Sequence, residues 1–206
     1  MFSTSLLNDV MRSIGLDNFT LSPRFKPLID NTSIQGKAFT ILGKETNNLS
    51  DHETLVQWTK FIDSIPKNSI AVCQSNCDKY AIMGDLSAET LKRNGVLGYI
   101  VDGGCRDISA IKKLNFPVFY FFNTPEDVVG RWIPEKLKEP ITVSGVKIST
   151  NDFIVADSDG IIVIPSNKIQ EVQERYNKIV NDEDLVRNGI KEGLSSYESY
   201  MKYKKF

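Results

Sequence analysis

The sequence predicts a single α/β domain with a parallel βαβ core and antiparallel hairpins late in the chain. Three observations predict it. From Ser69 to Phe122, strand-like and helical segments alternate with short connections, which implies right-handed crossovers and parallel pairing. After residue 140 the pattern changes to short strand pairs around turn residues. A chain of 206 residues can also bury one full core without a second, so residues 1–206 read as one unit.

In chain order, Leu6, Leu7, Val10, Met11 and Ile14 have helical spacing, and Gly15 stops that helix. SPRFKPL has two prolines and reads as an extended connector. SIQGKAFTIL reads as a strand with Gly36 as a candidate bulge, and polar residues 44–50 read as a loop. A helix follows over Asp51–Ser64, capped by Ser50 or Asp51, with Leu55, Trp58, Phe61 and Ile62 inward. The alternating centre comprises strand Ser69–Gln74, helix Leu86–Asn94, strand Leu97–Asp102, helix Ile108–Leu114 and strand Pro117–Phe122. Residues 123–139 read as a loop. Hairpins around Ser144-Gly145 and Ser158–Gly160 come next, then a helix over about 167–187 and a basic tail over 198–206.

Composition narrows the function. The net charge of −1 gives no global field for nucleic acid or an anionic membrane, so neither is expected as a partner. Three cysteines at irregular spacing make no disulfide framework, and reduced thiols in a cytoplasmic protein are the simplest reading. Cys105 beside Arg106 is a candidate for a lowered pKa. One histidine, His52, excludes a zinc site needing several imidazoles and reads as a surface or capping residue. No signal peptide or membrane-length apolar run is expected.

The chemistry concentrates in residues 84–107, GDLSAETLKRNGVLGYIVDGGCRD. In parallel sheets, ligands sit outside the carboxyl ends of the strands. Connections 75–85 and 102–107 both open on that edge, so Asp85 and the Arg106–Asp107 pair should face one crevice. Taken alone, Asp107 could be a helix cap and Arg106 a structural ion pair. Gly103 and Gly104 would let the backbone approach a ligand closely. An arginine and a carboxylate after them suit a small anion with a divalent cation, since Mg²⁺ takes few protein oxygens and keeps several waters. A Schiff-base lysine has no support around Lys79 or Lys92, and neither a P-loop nor a GxGxxG turn is present.

Residues 84–107 resemble the class II pyruvate aldolase family of 4-hydroxy-4-methyl-2-oxoglutarate aldolases, which also contains regulator of ribonuclease activity A-like proteins. The family fingerprint is an acidic residue, twenty residues, then Arg-Asp, and Asp85 with Arg106-Asp107 matches it without a gap. SPRFKP, FPVF and IVADSDGIIVIP extend the resemblance along nearly the whole chain. One departure is SNCDKYAIM, which stands where family members often carry a Gly-rich loop.

The resemblance implies a sandwich of the swivelling β/β/α type, a homotrimer or homohexamer, and active sites at subunit interfaces. It implies that Asp107 binds Mg²⁺ or Mn²⁺ and that Arg106 contacts a 2-oxo acid. Gly84, Asp85, Leu86 and Ser87 would hold the substrate through backbone N–H groups, and Asp85 would orient an acid–base water. A neighbouring subunit would add an acidic residue, with Glu183 the candidate, although a solvated helix carboxylate is an equal reading of Glu183. The implied reaction is retro-aldol release of pyruvate from 4-hydroxy-2-oxo diacids, with oxaloacetate decarboxylation through the same enolate. The alternative implied is a protein that binds and inhibits ribonuclease E.

Overall fold

The computed structural model describes residues 2–204. The chain opens with α1 (Thr4–Ser13), and the proline-rich connector contains a two-residue strand, β1 (Lys26–Pro27). Strand β2 (Ile34–Glu45), capped helix α2 (Asp51–Ser64) and strand β3 (Ser69–Gln74) follow. The centre continues with α3 (Asp85–Arg93), β4 (Gly98–Val101), β5 (Gly104–Cys105), α4 (Ile108–Leu114), β6 (Val118–Tyr120) and β7 (Phe122–Asn123). The later strands are β8 (Trp132–Leu137), β9 (Ile141–Val143), β10 (Val146–Ile148), β11 (Phe153–Ala156) and β12 (Ile161–Ile164). A short 3₁₀ turn (Ser166–Lys168) leads into α5 (Ile169–Lys191) and α6 (Ser196–Tyr203).

The main sheet runs β1-β6-β4-β3-β2-β11-β12. Pairs β2–β3, β3–β4 and β4–β6 are parallel, as the alternation requires, and β11–β12 is an antiparallel hairpin. The long β2 has two partners along its outer edge, β11 beside its first half and β8 beside its second. Strand residues alternate between two buried faces. Ala71, Cys73, Tyr99, Val101, Val118 and Tyr120 join the core beneath α2, α3 and α4. Ile70, Val72, Ile100 and Phe119 point the other way, onto hairpin β9–β10. Hairpin, sheet and helices therefore form the β/β/α layering. At the β12 edge, α1 and α5 enclose a third apolar cluster with Val155, Ile162 and Ile164.

Several expectations need correction. Gly36 is not a bulge: it pairs in register with Ile154, and a Cβ there would lie 2.7 Å from Leu97. The irregularity in β2 falls between Leu42 and Gly43, where the Trp132 indole lies over Gly43 and a Cβ would come 1.8 Å from the ring. The stretch 123–139 is not all loop. It contains β8, whose Pro134 is tolerated because it sits on an edge strand opposite this irregularity. On α2, Phe61 and Ile62 are buried, but Leu55 is exposed. Phe119 is buried, and the Phe121 ring packs on Phe25 with centroids 4.4 Å apart. The C-terminal helix runs to Lys191 and ends at Gly193 (φ 100°). Most of the region read as a tail is α6, opened by a capping box between Ser195 and Glu198; Lys205 and Phe206 lie outside the described residues.

Candidate active site

Two connections at the carboxyl ends of β3 and β4 are zipped together by backbone bonds. Ile82 N–H donates to Gly104 O at 2.8 Å, and Arg106 N–H donates to Met83 O at 2.9 Å. This pairing brings Asp85 and Arg106-Asp107 to one place. Gly104 permits it, because a Cβ there would lie 2.7 Å from Tyr80 O and 2.8 Å from the Phe122 ring. Gly103 is packed against Ile82 and Ser75. The paired glycines therefore allow close contact between protein segments.

Asp107 precedes α4 in the left-handed region (φ 54°, ψ 34°), and its side chain makes no cap hydrogen bond. That conformation costs a non-glycine residue roughly 1 kcal/mol and is best tolerated by Asp and Asn. The carboxylate is instead engaged across the crevice. Its Oδ2 lies 3.3 Å from Arg106 Nε and accepts from Asp85 N–H at 3.3 Å, while Oδ1 has no hydrogen bond among the described residues. The Asp107 side chain is 36% exposed and that of Arg106 39%. Asp107 thus holds the N-cap position of α4, but its carboxylate does not cap the helix.

Gly84 begins α3 in an extended conformation (φ −141°). A Cβ there would come 2.9 Å from Asp107 Oδ2 and 3.2 Å from Arg106 Nε, so a side chain would crowd the pair. The N-terminus of α3 faces carboxylates: Asp107 takes Asp85 N–H, and the Asp85 side chain takes Leu86 N–H at 2.8 Å. A helix N-terminus favours anions through unpaired N–H groups and the helix dipole. Ser87 Oγ accepts from Trp58 Nε1 at 3.0 Å, tying α2 to α3. Leu86 is exposed at the rim.

Gly84, Asp85, Leu86, Ser87 and Arg106 all line one crevice of about 420 Å³, walled on its far side by Leu55, Trp58 and Ile62 of α2. Asp107 lines a neighbouring recess with Cys105 and Thr124. Glu183 is not among the lining residues of either. It lies on α5, which packs on α1 and α6. Asp127 is a residue the sequence reading missed. It lines the crevice, and its Oδ2 lies 3.3 Å from Arg106 Nη1. No spacing signal pointed to it. Cys105 is the reverse case: burial, then the Asp107 charge, pushes its thiol up to about 12, against the expected lowering. His52 is exposed on α2, as expected of a surface residue.

Asp107 offers a hard oxygen donor in the recess beside the crevice, and its Oδ1, free among the described residues, fits a cation that keeps most of its waters. Among the described residues no three His, Cys, Asp or Glu side chains gather into a cage. A cation here would therefore depend on one carboxylate, water and substrate oxygens.

The family described as RraA-like, Aldolase/RraA, matches residues 4–163. This chain belongs to that family. Among RraA-like relatives, it is 30% identical over 199 residues to a Halalkalibacterium halodurans protein named "Putative 4-hydroxy-4-methyl-2-oxoglutarate aldolase", covering 96% of this chain and 89% of that one. It is also 30% identical over 190 residues to Protein DlpA of Legionella pneumophila, covering 91% of this chain but only 30% of DlpA. The fold matches the structure of Streptomyces coelicolor RraAS2, described as an unusual member of the RNase ES inhibitor RraA protein family. The TM-score is 0.75 at 23% identity, over 89% of this chain and 88% of the other. Aldolase names among the relatives support a lyase.

Proposed function

We propose that this protein is a divalent-metal-dependent carbon–carbon lyase that releases pyruvate from 4-hydroxy-2-oxo diacids such as 4-hydroxy-4-methyl-2-oxoglutarate. It decarboxylates oxaloacetate through the same enolate. The observation that carries the reading is the uncapped Asp107 carboxylate, held against Arg106 at the N-terminus of α3.

Asp107 is the proposed ligand of Mg²⁺ or Mn²⁺. When bound, that ion supplies Lewis acidity to the carboxylate and C2 oxygen of a 2-oxo acid. Backbone N–H groups of Gly84–Ser87 hold the substrate's anionic end, replacing carboxylates that face them now. In aldol cleavage, water oriented by Asp85 takes the proton of the C4 hydroxyl. The C3–C4 bond breaks, C4 becomes a carbonyl, and the electron pair enters the C3–C2–O system as an enolate. Arg106 donates to the C2 oxygen as its charge grows, an interaction strongest in the transition state. Protonation at C3 then gives pyruvate. For oxaloacetate the same bond breaks with loss of CO₂, so no base is needed to start.

The proposal extends to one aldolase-like domain over residues 1–206, a homotrimer or homohexamer in which a neighbouring subunit contributes Glu183, and a cytoplasmic setting. No described helix is long and apolar enough to cross a membrane.

The test measures pyruvate release from oxaloacetate and from 4-hydroxy-4-methyl-2-oxoglutarate, with Mg²⁺ or Mn²⁺ and with chelator. Metal-dependent release from at least one substrate is expected. No release from either, by folded protein, would remove the reading. The second reading, a protein that binds and inhibits ribonuclease E, is favoured by membership of the Aldolase/RraA family and by the likeness in fold to RraAS2. Inhibition of ribonuclease E that survives Arg106→Ala, with no pyruvate formed, would select it.

A further inference from the structure

We infer that Asp127 is the positioning residue for Arg106, setting the plane in which the guanidinium meets the C2 oxygen. This role rests on the proposed pyruvate chemistry. Arg106 is gripped from two sides: Nε faces Asp107 Oδ2 and Nη1 faces Asp127 Oδ2, both at 3.3 Å. A guanidinium is planar, and two carboxylates on different N–H groups fix both its position and its tilt. The remaining N–H groups are left for a ligand.

Asp127 suits this task because it is itself held. Its Oδ1 accepts from Val129 N–H at 3.1 Å. The segment around it is tied to three parts of the frame. Ala81 N–H donates to Glu126 O at 2.8 Å, Gly130 N–H to Thr54 Oγ1 at 3.1 Å, and Trp132 Nε1 to Ser75 O at 2.7 Å. Asp107 alone could not do this work. If it also binds a cation, its share of the guanidinium weakens, and Asp127 becomes the anchor that keeps Arg106 in place. An ion pair this exposed contributes little to stability, so its value lies in orientation.

The experiment compares wild type, Asp127→Ala and Asp127→Asn in oxaloacetate decarboxylation with Mg²⁺. It also measures binding of oxalate, whose planar dianion resembles the pyruvate enolate, against binding of pyruvate. In Asp127→Ala, kcat is expected to fall about tenfold to a hundredfold, as for a misplaced catalytic group, with KM changed less than about threefold. Oxalate binding should weaken about as much as kcat falls, and pyruvate binding by less than about threefold. Asp127→Asn, which keeps an acceptor for Val129 N–H or Arg106, should recover most of the loss. In an Arg106→Lys background, Asp127→Ala should cost no more than about twofold, because the group it positions is already replaced.

An unchanged kcat in folded Asp127→Ala would overturn the role, as would full additivity with Arg106→Lys. Both results leave the lyase reading standing. A wild type that neither forms pyruvate nor binds oxalate removes that reading, and this role with it.

Discussion

Asp107, which joins β5 to α4, and Asp152, which precedes β11, both lie beside the main sheet, yet they meet opposite fates. Asp152 is 7% exposed, and both its oxygens are taken by backbone N–H groups, from Ser149 at 2.7 Å and Ser166 at 2.9 Å. Asp157, in the β11–β12 turn, is similarly occupied. It accepts from the Thr4 hydroxyl at 2.5 Å and Thr4 N–H at 2.9 Å, and so caps α1 from outside. Asp107 instead keeps one oxygen without a hydrogen bond among the described residues. The antiparallel half of the molecule uses its carboxylates to finish the fold, whereas the parallel half holds one back at the ends of its strands. Occupancy of the oxygens, more than residue type, separates a structural acid from a candidate catalytic one.

The contrast breaks most visibly by exchanging readouts. Arg106→Ala or Asp107→Asn should lower pyruvate release by about 10²-fold or more. The midpoint of thermal unfolding should stay within a few degrees of wild type, since Asn tolerates the left-handed conformation. Asp152→Ala should do the opposite. Leaving two enclosed N–H groups unpaired costs roughly 2–4 kcal/mol, read by denaturant titration, while activity per folded molecule is retained. A stable Asp152→Ala, or an unstable Asp107→Asn, would erase the distinction.

Gly84→Ala sharpens it at the site, where the new methyl crowds the Arg106–Asp107 pair. A fall in kcat of about tenfold, with little change in stability, is expected from displacing this pair. The smallest effect concerns Asp157. Burial raises its pKa, but hydrogen bonds from Thr4, Asp159 and Gly160 outweigh this and leave it lowered. A depressed carboxylate pKa means stabilisation that is present above the unfolded value, near 3.9, and lost as pH falls through the folded value. Asp157→Asn should therefore cost about 1 kcal/mol near neutrality, and the gap from wild type should close in acid.

Much of this was legible in the sequence. Strand β3 and helices α2 and α4 fall at their expected bounds, where the apolar pattern is clear and, for α2, a capping box marks the start. The spacing of Asp85 and Arg106-Asp107 indicated one crevice; Asp85 and Arg106 line it, while Asp107 lines the adjoining recess that Arg106 shares. Strand β8 was hidden because Pro134 argues against a strand, and only the irregularity at Gly43 makes room for it. Helix α6 carries a capping-box signature in Ser195 and Glu198, but it is only eight residues long and the cluster of lysines at its end also suits a solvated tail. Asp127 had no local signature: its role depends on where β8 anchors the preceding turn, which is a tertiary fact.

The most direct test of the central claim is exchange of the pyruvate methyl protons for deuterium, followed by proton NMR in D₂O with Mg²⁺. The exchange requires the enolate and no particular aldol substrate. Wild type should exchange the methyl protons well above the buffer rate, and Asp107→Asn or added chelator should abolish this. Exchange no faster than buffer in wild type, or undiminished exchange in Asp107→Asn, would contradict the assignment of this crevice to pyruvate enolate chemistry.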